Sequence, residues 1–372
     1  MNSFPLLIKP ASADCNLRCA YCFYLDRADL YPQTRIHRMS DDILESLIRG
    51  YMATNQPHYT FAWQGGEPTL MGTDFFKRVT ALQSKYGSSS AIVANGLQTN
   101  GTLLDNEMVS HFARYKFLIG VSLDGPASVH DRYRRAANRR GSYTDVMRGI
   151  ARLKRYGVEF NILTMVTKAN VHQPRKIYEY LCENGFLYHQ YIPCVEFDAA
   201  GKPLPYTING QEWGDFLCEL YDLWKASDTH KVSIRLFDAI LNKLVTGQIT
   251  ICHMGMNCSQ YFVVEYNGDI YPCDFFVERT WKLGNIATTT WQAAQDLSIY
   301  RRFGRQKRKW APACSSCQWQ QLCAGDCLKH RMYAGGDSRT LSWLCSGWKQ
   351  FFAHTSTGFQ ELARGIHSTI DK

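Results

Sequence analysis

The cysteines at Cys15-x3-Cys19-x2-Cys22 stand close enough along the chain to grip one metal assembly. Three thiolates can hold three irons of a four-iron cube and leave the fourth iron without a protein ligand. An open metal position is where an outside ligand binds and reacts. A three-Cys zinc site is the competing reading, but no His stands nearby at ligand spacing. A second set comprises Cys252, Cys258, Cys273, Cys314, Cys317, Cys323, Cys327 and Cys345. Eight thiolates make two four-Cys sites, for zinc or for [4Fe–4S] clusters. Gly65-Gly66-Glu67-Pro68, taken alone, reads as a turn.

The elements that must position these groups follow from periodicity. Strand-like runs fall at Leu6–Lys9, Tyr59–Trp63, Ala91–Ala94, Phe117–Leu123, Val158–Val166 and Leu187–Ile192. Amphipathic helical stretches separate them: Ser40–Met52, with Ser40 as N-cap, then Asp74–Tyr86, Asp105–Tyr115, Thr144–Tyr156 and Pro174–Asn184. Six strands alternating with helices predict βα units and a parallel sheet, with functional groups at the C-terminal strand ends. The three-cysteine loop follows the first strand, and Gly65–Pro68 follows the second. After about residue 195 the rhythm breaks. A helical run at Glu212–Ala226 precedes a cysteine-rich region. That region holds a hairpin signal at Phe262–Tyr271, where Asn267-Gly268 predicts a two-residue turn. A last helix is predicted over Ser342–Arg364.

The chain has 372 residues, 45% hydrophobic, 13% aromatic and 20% charged, which excludes intrinsic disorder. No stretch approaches the roughly 18 apolar residues of a membrane span. The N-terminal segment lacks the basic and apolar regions of a secretory signal. These features predict a cytoplasmic protein, in which disulfides are rare and the 14 cysteines need another use. Cys182, Cys194 and Cys218 read as buried thiols.

Cys15-x3-Cys19-x2-Cys22 followed by Phe23, after the first strand of a βα repeat, resembles the signature of radical S-adenosylmethionine (SAM) enzymes. The resemblance implies a [4Fe–4S] cluster whose open iron chelates SAM, and a 5′-deoxyadenosyl radical that abstracts a substrate hydrogen. It places Gly65, Gly66 and Glu67 at the SAM amino group, Ser122 and Asp124 at the ribose, and Arg134 at the SAM carboxylate. Tyr21, Gln64 and Val195 carry over to the adenosine pocket. The later cysteine string resembles the SPASM extension of such enzymes, in which two auxiliary [4Fe–4S] clusters are held by cysteine. Carried over, Cys252, Cys258, Cys273 and Cys327 hold one, and Cys314, Cys317, Cys323 and Cys345 the other. The implied fold is α/β, a partial (β/α)6 TIM-like barrel followed by a cysteine-rich SPASM domain. The implied domains are 1–235, with a connecting segment from about 196, and 236–372. The implied cofactors are SAM and three [4Fe–4S] clusters.

Leu7–Ser12, Phe61–Leu70, Leu97–Leu103, Val158–Leu163 and Tyr271–Phe275 are similar to anaerobic sulfatase-maturating enzymes. That implies oxidation of a Cys or Ser side chain to Cα-formylglycine, with Asp274 as the base. The implied partners are an unfolded or nascent sulfatase with a Cys/Ser-x-Pro-x-Arg-like motif and a donor such as flavodoxin or ferredoxin. The alternative is a radical SAM/SPASM maturase that crosslinks a ribosomal precursor peptide.

The formal charge of +9 would permit nucleic acid as a partner. Three clusters held by eleven thiolates bring it to roughly +4, which removes much of that case. The basic run Arg301–Trp310 reads as a solvated helix face.

Overall fold

The computed structural model describes residues 3–25 and 30–370. The chain forms two compact units. The first comprises Met1–Leu123, His130–Phe160 and Ser259–Gly304. The second comprises Asp124–Val129, Asn161–Cys258 and Arg305–Lys372.

In the first unit β1 (Leu6–Lys9), β2 (His58–Trp63), β3 (Ile92–Thr99) and β4 (Leu118–Ser122) pair in parallel in chain order. Helices α1 (Asp41–Met52), α2 (Gly72–Tyr86) and α3 (Asn106–Arg114) connect them. α1 and α3 begin at the caps their sequence predicts, whereas α2 starts at Gly72, two residues before the predicted Asp74, without a side-chain cap. Ser40 Oγ accepts from Ile43 N–H at 3.3 Å, and Asp105 Oδ1 from Met108 N–H at 2.8 Å. The α1 stripe Leu44, Leu47, Ile48 and Tyr51 is buried.

The strand predicted at Ala91–Ala94 runs on to Thr99. Asn95-Gly96-Leu97-Gln98 has weak strand propensity, but pairing with β2 and β4 overrides it. Buried Asn95 is satisfied by Trp63 Nε1 at 3.0 Å and by Gln83 at 2.9 Å.

The hairpin of β8 (Phe262–Glu265) and β9 (Asp269–Tyr271) exists, with a different turn. Its loop has three residues, Tyr266–Gly268: Gly268 N–H donates to Glu265 O at 2.9 Å and Gly268 takes φ +85°. That is a turn followed by a left-handed glycine, the next commonest hairpin connection. β8 also pairs in parallel with β1, which the sequence pattern did not reveal. This register sets Lys9 opposite Glu265, at the C-terminal ends of both strands.

In the second unit β5 (Phe160–Val166) and β6 (Tyr188–Pro193) pair in parallel from Ile162↔His189 onward, and the short β7 (Ser233–Ile234) pairs in parallel with β6. The helix Gly210–Ser227 opens with a capping box of Asn209 and Glu212. It packs on the C-terminal helix Cys345–Ile370 around Trp213, Phe216, Trp224, Phe351 and Phe359. Cys194 is buried, whereas Cys182 and Cys218 are half-buried. No described helix is long and apolar enough to cross a membrane.

His189 is buried in this core, its Nε2 against Phe186 O at 2.8 Å and its Nδ1 against Tyr191 Oη at 3.1 Å. Burial holds its imidazole down at about 4. The unfolded chain therefore binds a proton that the folded chain refuses, and stability falls as pH drops from 6.5 toward 4. The loss reaches about 3 kcal/mol. Melting temperatures should decline less steeply over this range in His189→Gln; equal declines would contradict the assignment.

Candidate active site and cluster loops

The three-cysteine loop leaves the C-terminal end of β1 and is braced by the turn after β2. Gly66 N–H donates to Ser12 O at 2.7 Å, Glu67 N–H to Asp14 O at 2.7 Å, and Gln64 N–H to Ile8 O at 2.9 Å. A Cβ on Gly66 would lie 2.0 Å from Asp14 O, and one on Gly65 (φ +119°) 2.6 Å from Ser12 O. The glycines thus admit the cysteine loop's own backbone, a role that the turn reading did not supply. Gly66→Ala should cost about 1–3 kcal/mol through overpacking and displace the loop. Iron content after anaerobic reconstitution should fall with it; normal loading and stability would refute this role.

Glu67 is fully buried. Its Oε1 accepts from Thr69 N–H at 2.9 Å, Thr69 Oγ1 at 2.6 Å and Thr99 Oγ1 at 2.8 Å, and its Oε2 from Asn100 N–H at 2.7 Å. A carboxylate has about four lone-pair sites. The chain itself supplies four donors, tying the end of β2 to the end of β3. Burial nevertheless pushes its proton affinity up.

Cys15 Sγ accepts from Leu17 N–H at 3.3 Å and from Asn100 Nδ2 at 3.7 Å. Burial, followed by the Glu67 charge, pushes this thiol up to about 12, and burial also raises Cys22. Such sulfurs become thiolates when a metal supplies positive charge. None of the 14 cysteines is in a disulfide.

Asp274 follows β9 in a short turn and is buried. Tyr24 Oη donates to its Oδ2 at 2.5 Å and Gln64 Nε2 to the same oxygen at 2.9 Å. Lys9 Nζ lies 2.7 Å from Oδ1, 3.6 Å from Glu265 Oε1 and 4.5 Å above the Tyr24 ring. Burial, then the Asp274 charge, raises the Tyr24 phenol far above its usual value, so it stays a donor. Burial raises Glu265, and Lys9 partly offsets this. Sequence reasoning missed Lys9, Tyr24 and Glu265 as Asp274's surroundings. Lysine's place at the end of β1 and glutamate's at the end of β8 become informative only once those strands are known to pair.

The structure places the other expected SAM contacts variously. Tyr21 and Arg134 come together, the guanidinium 5.3 Å from the ring centroid. Gln64 points its amide at Asp274. Ser122 is buried at the end of β4. In the second unit, Asp124 Oδ1 accepts from Met165 N–H at 3.0 Å, and Val195 lies in the apolar core.

Cys314, Cys317, Cys323 and Cys345 line one pocket, with Trp319, Trp348 and Phe352 as its apolar wall. A four-thiol, water-poor cavity fits a four-iron cluster in donor type and surroundings. Among the described residues no three His, Cys, Asp or Glu side chains converge on a single ion. Cys252, Cys258 and Cys327 belong to the second unit, and Cys273 to the first.

A family model described as the radical SAM superfamily matches residues 10–181, and the iron–sulfur cluster-binding SPASM domain matches residues 252–318. A cysteine-type anaerobic sulfatase-maturating enzyme of Clostridium perfringens is 36% identical over 370 residues, covering 98% of this chain and all of the relative. The chain belongs to the anaerobic sulfatase-maturating enzymes. A serine-type sulfatase-maturating enzyme of Bacteroides thetaiotaomicron is 35% identical, covering 94% of this chain and 89% of its own length. A solved structure described as native anSMEcpe with bound AdoMet and Cp18Cys peptide superposes with a TM-score of 0.90 at 35% identity, covering 97% and 99% of the two chains. Sulfatase-maturating enzymes thus share this mixed α/β sheet, and the present member is a radical SAM oxidoreductase with an iron–sulfur SPASM domain.

Proposed function

We propose that this enzyme oxidises a Cys or Ser side chain of a sulfatase polypeptide to Cα-formylglycine, and that Asp274 is the base. The observation that carries the reading is the Asp274 carboxylate, held in one orientation by Tyr24, Gln64 and Lys9. Cys15, Cys19 and Cys22 would hold the SAM-binding cluster. Cys252, Cys258, Cys273 and Cys327 would hold one auxiliary cluster, and Cys314, Cys317, Cys323 and Cys345 the other. When bound, SAM and its cluster supply the radical that removes a Cβ hydrogen, and the auxiliary clusters accept the remaining electron. Residues 1–235, with the connection from about 196, serve the first task and residues 236–372 the second.

The chain's own residues then handle the proton; loss of the hydrogen, the proton and the electron turns Ser into the aldehyde directly and Cys into a thioaldehyde, which water hydrolyses to the aldehyde with release of hydrogen sulfide. Oδ2 of Asp274 already accepts two hydrogen bonds, so the substrate thiol or hydroxyl proton goes to Oδ1, which keeps a lone pair beside Lys9. Arg134, over Tyr21, would pair with the SAM carboxylate. Gly65, Gly66 and Glu67 would form the seat of the SAM amino group. Ser122, Asp124, Tyr21, Gln64 and Val195 would border its nucleoside. The partner is an unfolded or nascent sulfatase with a Cys/Ser-x-Pro-x-Arg-like motif, and flavodoxin or ferredoxin supplies electrons in the cytoplasm.

Anaerobic incubation with SAM, a reductant and peptides carrying Cys-x-Pro-x-Arg or Ser-x-Pro-x-Arg tests the reading. Aldehyde together with 5′-deoxyadenosine is expected. SAM cleavage without aldehyde on either peptide would overturn the substrate assignment and favour a precursor-peptide crosslinker.

A further inference from the structure

The basic run Arg301–Trp310 is only partly the solvated face its composition predicts. Arg301 is exposed and pairs with Asp296, but Lys307 is fully buried. Arg331, downstream, is 1% exposed. A buried ammonium or guanidinium costs several kcal/mol unless negative charge compensates it. Among the described residues, every hydrogen bond these two cations make goes to a backbone carbonyl. Lys307 Nζ donates to His253 O at 2.8 Å and to Asp326 O. Arg331 reaches Lys307 O at 3.0 Å, Ser338 O at 3.1 Å, Lys309 O and Asp326 O at 3.2 Å each, and Ala324 O at 3.5 Å.

One carboxylate, Asp326, acts electrostatically on both cations, although it makes no hydrogen bond to either: its Oδ2 bonds His330 Nδ1 at 3.0 Å and Ser342 Oγ at 2.6 Å. The carbonyls themselves belong to cluster loops. His253 follows Cys252, and Ala324 and Asp326 lie between Cys323 and Cys327. In that second stretch Ala324, Gly325 and Asp326 all adopt left-handed φ, of +48°, +72° and +61°. Two non-glycine residues in succession around a glycine are strained, and Arg331 bonds the carbonyls of both. Burial pushes both cations toward losing their protons. Cys258 and Cys327 act electrostatically on each of them, and Cys314 on Arg331.

We infer that Lys307 and Arg331 are buried counter-charges for the two auxiliary clusters, raising their reduction potentials so that they can accept an electron. The inference rests on the auxiliary-cluster assignment above. A four-thiolate cluster carries about −2 in its resting state and gains one more negative charge on reduction. Fixed positive charge in a dry surrounding favours that reduced state. Two cations facing carbonyls and a single carboxylate have their missing partner in such a cluster pair. Both residues act through the clusters, as positioning charges.

The test is a redox titration of the reconstituted full-length enzyme followed by electron paramagnetic resonance, with iron content measured alongside. Lys307→Met and Arg331→Met should each shift the auxiliary midpoints downward by about tenfold in the oxidised-to-reduced ratio, which is about 59 mV for one electron. The cluster of Cys15, Cys19 and Cys22 should keep its midpoint and serves as the internal reference. Lys307→Arg and Arg331→Lys should stay near wild type. If the Met variants fail to take up auxiliary iron while the charge-keeping variants load, the charge requirement is upheld. Unchanged midpoints in the Met variants, or equal losses in charge-keeping and charge-removing variants, would reduce both residues to loop tethers and overturn the inference. A wild-type enzyme with iron at one cluster alone would overturn the auxiliary-cluster assignment itself.

Discussion

Asp274→Asn is expected to lower aldehyde formation by about 10²–10⁴-fold, the usual worth of a positioned general base, while SAM cleavage continues. Asn keeps the shape and an acceptor for Tyr24 and Gln64, but offers no site that can take a proton. Turnover should therefore uncouple, with 5′-deoxyadenosine accumulating in excess of aldehyde. Tyr24→Phe and Gln64→Leu each remove one donor to Oδ2 and should cost roughly 10- to 100-fold, following about 1.5–3 kcal/mol for a hydrogen bond to a charged group. Measuring both products in one quenched reaction separates the outcomes. Unchanged aldehyde output in Asp274→Asn would remove Asp274 from the chemistry.

Glu67→Ala should have the second large effect, and on stability as well as on SAM. The substitution strands Thr69 N–H and Asn100 N–H in a fully buried place. At about 1–3 kcal/mol for each unsatisfied group, plus the small cavity, the cost is about 3–5 kcal/mol. That is a large share of a typical domain's stability. Glu67→Gln retains Oε1 with its three donors and opposes only Asn100 N–H, so it should lose about 1–3 kcal/mol. Thermal unfolding without SAM is the measurement. If Glu67→Ala unfolded at the wild-type temperature and lost SAM affinity alone, the carboxylate would be a ligand contact and not a brace.

Much of this molecule could be read from residue order, because its signals are local. Ser40 and Asp105 cap the helices they precede, and cysteine spacing alone marks out the loops proposed to hold the clusters. The misses share one cause, which is pairing between distant segments. Lys9 looks like an ordinary strand-end lysine until β8 lies beside β1 and brings Glu265 and Asp274 to it. Asn95-Gly96 breaks strand propensity and is held in β3 by neighbours on both sides. Lys307 sits in a run whose composition argues for solvent, and only the fold of the cysteine loops around it buries the charge. Gly66 was legible as a glycine-dependent turn, yet what approaches it closely is the backbone of Asp14.

The central claim, that a radical derived from SAM takes a hydrogen from Cβ of the target residue on the way to the aldehyde, is tested most directly with a Cβ-dideuterated Cys-x-Pro-x-Arg peptide. After anaerobic turnover, 5′-deoxyadenosine should carry one deuterium and the aldehyde should retain the other. Aldehyde formed alongside 5′-deoxyadenosine free of deuterium would contradict the account.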